Sequence, residues 1–205
     1  MINSNFNQQD YEIINCDSLY EGIFRLVRYH IRHRLFNGGW SAELKREVLQ
    51  RMSAVAVLPY DPDLDQVVLI EQFRPGALGT SHQPWLIEIV AGVYDDEQPY
   101  EVAHREAIEE ANCHLEALHP ICDYFVSPGG SNEYLHIFCG KVDTRTIGGV
   151  HGLEAEHEDI RAFVLPSEEA FEAARSGKIK TSPAMIALQW LQINRPMLKA
   201  LWAKR

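Results

Sequence analysis

A chain of 205 residues with 46% hydrophobic and 23% charged side chains has an ordinary globular composition, long enough for one core and a small appended unit. Its formal charge of −10, from 29 acids against 19 bases, repels phosphate backbones and anionic lipid, which excludes nucleic acid and membrane-surface partners in favour of a small molecule. The same charge would repel a free diphosphate unless cations stood between the two.

Cys16, Cys113, Cys122 and Cys139 show no C-x-x-C spacing and read as free thiols of a reducing compartment. The polar start Met1–Asp10 holds no apolar leader segment, and no apolar run approaches the roughly 20 residues of a membrane span, so a cytoplasmic chain is expected. Tyr11–Asn15 and Ile23–Leu35 are predicted strands. In the second, Ile23, Val27, Tyr29 and Ile31 share one parity, with Arg28, His30, Arg32 and Arg34 on the other. Asn37-Gly38-Gly39 signals a turn, after which the chain returns as a strand through Trp40–Val48. Residues 1–50 thus form a small antiparallel β-unit that needs another surface, in this chain or in a second subunit.

Residues 51–205 read as the main domain. Ala54–Leu58 and Val67–Glu71 are predicted strands around a turn-rich loop, and Trp85–Val90 is a further strand ending at Ala91-Gly92. A helix is expected over Gln98–Ala111, then strands at Leu115–Val126 (interrupted at Pro120), Tyr134–Val142 and Arg161–Leu165. Asp143–Asp159 is an irregular acidic segment. Ser167–Ser176 opens as a helix with an imperfect capping box, and Ser182–Trp202 follows with Pro183 in its first turn and a kink or break at Pro196. This pattern predicts a mixed sheet with helices on both faces.

The helix over Gln98–Ala111 carries the chemistry. Glu106, Glu109 and Glu110 stand at i, i+3 and i+4, within an arc of roughly 100°. Ala103, Ala107, Ile108 and Ala111 are expected to form the small apolar face that the helix lays on a sheet. Like charges at this spacing cost about 0.2–0.5 kcal/mol per pair, which a positive species above them would repay. Hard oxygen donors at this density suit Mg²⁺, or Mn²⁺, and either ion would screen an incoming diphosphate. An arbitrary E-x-x-E-E is more often a solvated acidic face, but the surrounding residues weigh the other way. Gly92, Glu97, Arg105-Glu106 and Glu109-Glu110 resemble the Nudix box, G-x5-E-x7-R-E-U-x-E-E-x-G-U with U bulky and aliphatic. The R-E-x-x-E-E core arises by chance only about once per 10⁴–10⁵ positions. The chain departs from the pattern in three places: four residues instead of five separate Gly92 from Glu97, Asn112 replaces the closing glycine, and Cys113 replaces the last aliphatic. Asparagine is the next best residue at a left-handed helix end.

Beyond the box, Arg34-Leu-Phe-Asn-Gly, Val68–Arg74, Pro84–Gly92, Ser127–Gly130, His151–Arg161 and Ile186–Gln192 resemble the bacterial ADP-ribose pyrophosphatase branch of the Nudix hydrolases, with Pro128 near the proline that marks ADP-ribose specificity. The resemblance implies an α+β fold, an α/β/α sandwich around a mixed β-sheet with the small N-terminal antiparallel β-unit serving strand exchange in a homodimer. It implies Mg²⁺-dependent hydrolysis of ADP-ribose to AMP and ribose 5-phosphate. Implied metal ligands are Glu106 and Glu110, assisted by Glu109, with the Ala91 carbonyl and Glu158. Arg105 would orient the carboxylates through Glu97, and Glu156 would be the catalytic base, with Glu154 and Glu158 as rivals. Arg74, Glu97, Ser127, Arg46 and Phe24 are the implied substrate-binding positions; Phe24, or Ile23 beside it, aligns with an aromatic that stacks on adenine.

Read without the resemblance, Arg74 follows an apolar strand and either forks onto a phosphate or pairs with Glu71 or Glu88. Glu154, Glu156, Glu158 and Asp159 lie in a loop of about seventeen residues, a length usually kept for function or disorder. Ser127-Pro-Gly-Gly is a turn beside substrate or a plain loop. Another nucleoside-diphosphate sugar, such as GDP-mannose or ADP-glucose, remains a rival substrate, and a non-catalytic ADP-ribose-binding domain remains a rival of another class.

Overall fold

The computed structural model describes residues 4–80 and 82–203. Part of the polar N-terminal stretch, Met1–Asn3, lies outside the described residues. The chain divides into two units, Met1–Met52 with Phe125–Tyr134, and Ser53–Tyr124 with Leu135–Arg205.

The first unit is an antiparallel sheet of β1 (Tyr11–Glu21), β2 (Arg25–His33) and β3 (Leu44–Gln50) in that order. The first strand runs on past Asn15, because Cys16, Asp17 and Ser18 pair with Tyr29, Arg28 and Val27. The third begins at Leu44, not at Trp40: Trp40 makes only an isolated bridge to Arg34, and its indole lies under the guanidinium groups of Arg32 and Arg34 at 5.0 and 4.5 Å. Among this unit's described hydrophobic side chains Val27 alone is buried, so the sheet has little core of its own.

In the second unit β4 (Ser53–Asp61) and β5 (Gln66–Phe73) pair only at Tyr60↔Val67 and Asp61↔Gln66. They then part, and the wedge between them is filled from the next segment. Where one strand was expected over Trp85–Val90, the chain changes partner at Ile89: β6 (Trp85–Glu88) pairs with β5 and β7 (Val90–Tyr94) with β4. After α1 (Pro99–Ala111) come β8 (Ala117–Phe125), β9 (Tyr134–Lys141), β10 (Gly149–His151) and β11 (Ile160–Pro166), giving the mixed order β10-β11-β5-β4-β9-β8 with β4 and β9 parallel. Pro120 does not interrupt β8, because that strand lies at the end of the order, where a missing N–H is tolerated. Asp143–Asp159 is more regular than its composition suggests, with 3₁₀ turns at Thr144–Thr146 and Glu154–Glu156 around β10.

Strand alternation sorts the core into two layers. Ala54, Ala56, Leu58, Val67 and Leu69 pack toward α2 (Ser167–Arg175) and α3 (Ser182–Trp202), whereas Val55, Val57, Val68 and Ile70 pack toward α1. The result is the α/β/α sandwich around a mixed sheet. Two details of the helices narrow the expectation. Ser167 is the first residue of α2, not its cap; it is buried, and its hydroxyl accepts from Arg195 Nη1 at 2.9 Å. Pro196 lies inside α3 without ending it. Beside it, Arg195 and Lys199 reach Asp65 at 3.0 and 3.3 Å, fastening this part of α3 to the β4–β5 turn. No described helix is long and apolar enough to cross a membrane.

Candidate active site

Pro99 opens α1 at a position that needs no N–H donor, and Asn112 closes it in the left-handed region, φ 51°. The Cys113 amide then donates back to the Ala107 carbonyl at 2.8 Å, and Cys113 itself is fully buried, so both departures at the end of the box fit their places. Val102, Ala103, Ala107 and Ala111 are the buried apolar side of the helix; Ile108, expected there, is 44% exposed. Small side chains let the helix backbone lie close to the sheet, which brings Glu110 inward: it is 2% exposed. The three carboxylates therefore do not share one solvent-facing point. Glu110 is at the floor, and Glu106 and Glu109 are nearer the rim.

Strand β7 meets that floor. The Ala91 amide donates to Glu110 Oε2 at 2.9 Å. A side chain at position 92 would collide with the Glu106 carboxylate, so the box glycine is required for the approach of strand to helix. Arg105 gathers the remaining acids: Nη1 donates to Glu106 at 2.7 Å and Glu109 at 3.0 Å, while Nε and Nη2 fork onto Glu97 at 3.3 and 3.2 Å. The shortened loop thus still delivers Glu97 to Arg105. Burial pushes the Glu110 carboxyl up to about 8, with the charges of Glu106 and Glu158 adding to it against the Ala91 amide. Burial also raises Glu106, and Arg105 opposes the rise. Despite its own desolvation, Arg105 is held firmly protonated by Glu97, Glu106 and Glu109.

The loop over Asp143–Asp159 reaches the same helix. The Gly152 amide donates to the Glu109 carbonyl at 3.1 Å, and Glu158 turns back to accept from the Leu153 amide at 3.2 Å. Gly152 has φ 108°, and a side chain there would strike the Glu158 side chain and backbone, so this glycine shapes the loop. Glu158 is half-buried, and its charge acts on Glu106, Glu110 and Arg74. Glu154 and Glu156 are exposed on the 3₁₀ turn. Arg74 pairs with Glu88, while Glu71 is taken by Arg161 at 2.6 Å. Gln72, not singled out from the sequence, is 9% exposed near the end of β5, two residues before Arg74, and its Oε1 finds no hydrogen-bond partner among the described residues. The only hint in the sequence was a strand whose inward parity turns polar at its end.

The other expected substrate positions lie in the first unit. Phe24 is 45% exposed and packs beneath the Arg51 guanidinium at 5.1 Å. Arg46 donates to the Lys45 carbonyl and lines a cavity of about 420 Å³ with Tyr11, Tyr29 and Pro128. The Ser127 carbonyl accepts from the Gly130 and Ser131 amides at 3.1 and 2.9 Å, which makes this segment a tight turn.

Among the described residues no group of three or more acidic, imidazole or thiol side chains is arranged to hold a metal ion. An open donor set of hard oxygens is nonetheless what Mg²⁺ uses, since it keeps several waters and takes one or two carboxylates plus substrate phosphate oxygens. Among the described residues the carboxylates of Glu97, Glu106, Glu109, Glu110 and Glu158 around α1 are set against Arg105 and Arg74, and a divalent cation fits that excess of negative charge.

Comparison with known proteins gives the family and the fold. The model of the NUDIX domain matches residues 50–185. The ADP-ribose pyrophosphatase of Escherichia coli (strain K12) is 47% identical over 199 residues, 97% of this chain and 95% of that protein. The GDP-mannose pyrophosphatase of Cronobacter sakazakii is 35% identical over 186 residues, 89% of this chain and 95% of that protein. In three dimensions the chain resembles a crystal structure of an ADP compounds hydrolase with a TM-score of 0.66 at 17% identity, over 93% of this chain and 98% of that one.

Proposed function

From membership of the Nudix family, to which this chain belongs, we propose that the molecule is a hydrolase that splits the diphosphate of ADP-ribose into AMP and ribose 5-phosphate. The observation that carries the reading is the acidic floor built where β7 meets α1, with Glu110 buried beneath Glu106 and Arg105 bracing Glu97, Glu106 and Glu109. The ADP-ribose pyrophosphatases of E. coli and Haemophilus influenzae, at 47% and 43% identity, favour ADP-ribose over GDP-mannose.

Glu106 and Glu110 would hold a divalent cation, Mg²⁺ or Mn²⁺, with Glu109, Glu158 and the Ala91 carbonyl assisting. When bound, the ion polarises a phosphoryl oxygen and neutralises charge that develops on the diphosphate. Arg105 keeps the acids in place through its contacts with Glu97, Glu106 and Glu109. Arg74 binds a phosphate. Glu156 takes the proton from the water that attacks phosphorus, while Glu158, two residues on and already within the field of Glu106 and Glu110, serves the cation side. Arg46, Phe24 and Ser127 of the first unit contribute to holding the nucleoside, and that unit, with so little core of its own, serves a homodimer. The free cysteines suit the cytoplasm.

AMP release is expected from ADP-ribose with Mg²⁺ and none with EDTA; initial rates over a panel containing GDP-mannose and ADP-glucose should rank ADP-ribose first. Binding of ADP-ribose without AMP release would instead favour a ligand-binding domain. Glu156→Gln is expected to lower turnover roughly 10²-fold or more with the Mg²⁺ concentration for half-maximal rate unchanged, whereas Glu158→Gln should move that concentration upward. The reverse pattern would exchange the two roles.

A further inference from the structure

We propose that Glu88 is a positioning residue for Arg74: it fixes one edge of the guanidinium so that the opposite edge is presented to a phosphate oxygen of the bound diphosphate. The inference rests on the ADP-ribose reading above and adds to it the residue that orients its phosphate contact.

The register of the sheet puts the two side chains on one face. Ile70 and Gln72 on β5 and the extended Arg74 just past its end follow at steps of two, and Ile70 stands opposite Glu88 on β6. Ile70 packs in the layer beneath α1, so Arg74 and Glu88 both emerge on the side of the sheet that carries the acidic floor. Arg74 Nε donates to Glu88 Oε1 and Oε2 at 3.3 and 3.2 Å, and Nη2 donates to Oε2 at 2.9 Å. A guanidinium has five N–H groups in a rigid plane and can fork onto two anions at once, one along its Nε–Nη2 edge and one along its Nη1–Nη2 edge. Here the first edge is consumed. No hydrogen bond among the described residues reaches Nη1, and the Arg74 side chain remains 38% exposed while Glu88 is only 12% exposed. The buried carboxylate is therefore an anchor, and the exposed edge is the working one.

Pairing with Glu88 and contact with a phosphate, alternatives when Arg74 is read from the sequence, are in this geometry compatible. Arginine loses much rotamer freedom when it is ordered by a ligand, and an anchor that orders it beforehand moves that loss out of the binding step. Glu88→Gln breaks the fork, since one amide oxygen remains to accept and an NH₂ now faces the guanidinium.

The test is a double-mutant cycle with Glu88→Gln, Arg74→Ala and the pair, read by ADP-ribose kinetics with Mg²⁺ and by calorimetric affinity for ADP-ribose in EDTA. Glu88→Gln is expected to lower kcat/KM and metal-free affinity roughly tenfold, through KM with kcat nearly unchanged. In the Arg74→Ala background the same change should matter less than about twofold. An equal loss in both backgrounds would mark Glu88 as merely structural and overturn the proposal, as would unchanged or tighter binding in Glu88→Gln. If Arg74→Ala itself leaves binding and kinetics untouched, the phosphate contact of the preceding section fails and takes this inference with it, while AMP release by the unaltered protein would still stand.

Discussion

Exchanging Glu106 or Glu110 for glutamine is expected to cut AMP release from ADP-ribose by at least about 10²-fold, with circular dichroism and elution volume unchanged. Glutamine keeps the size of the side chain and one carbonyl oxygen but removes the charge. At Glu106 the lost charge also loosens Arg105, whose Nη1 donates there at 2.7 Å, so the acids at 97 and 109 lose part of their brace. At Glu110 the amide oxygen can still accept from Ala91, 2.9 Å away in the unaltered chain, so the strand-to-helix contact survives and the defect is chemical. Two variants with wild-type rates at saturating Mg²⁺ would remove both residues from the reaction.

The same substitution at Glu110 should have an opposite effect on stability. Its carboxyl is pushed up to about 8 in the fold from an ordinary 4.5. An acid raised in this way favours the folded state fully below pH 4.5, and that advantage is lost as pH climbs toward 8, because the unfolded chain has released its proton while the folded one must still do so. The slope is about 1.4 kcal/mol per pH unit across the window, a few kcal/mol in all. In EDTA, Glu110→Gln is therefore expected to melt several degrees above the unaltered protein at pH 8 and to show a flatter Tm profile from pH 5 to 8. His30, raised chiefly by its hydrogen bonds to Glu43 and Asp17, favours the fold at low pH and loses that contribution as pH rises through its raised value. It does so in both proteins, so the difference between the two curves reports Glu110 together with its coupling to Glu106. Parallel curves would mean that the buried acid costs the fold nothing.

The acidic floor could be read from the sequence because its determinants are local: the spacing of Glu106, Glu109 and Glu110 fixes their relation on any helix, and Asn112 announces the left-handed end. What periodicity could not supply was depth. Ile108 belongs to the expected apolar face and Glu110 to the acidic one, yet the larger apolar residue is exposed and the acid buried, since the side of α1 nearest the sheet is set by its alanines and by β7. The change of partner at Ile89 was hidden for a similar reason. Trp85–Val90 is one apolar run, and only the parting of β4 and β5 decides that half of it belongs to each. Arg74 and Glu88 are fourteen positions apart, and nothing local told which acid the arginine would choose. Ser167 misled because a hydroxyl before two acids suits a cap, while Arg195 from α3 claims it.

Pro120, within a strand at one end of the second unit's sheet, has a consequence for how copies of this chain meet at high concentration. A terminal strand normally offers a row of free amides on which another chain can add a strand, and here that row has a gap at Pro120, with only the three-residue Gly149–His151 at the opposite end of the order. Neither margin of this sheet is a good template for cross-β growth.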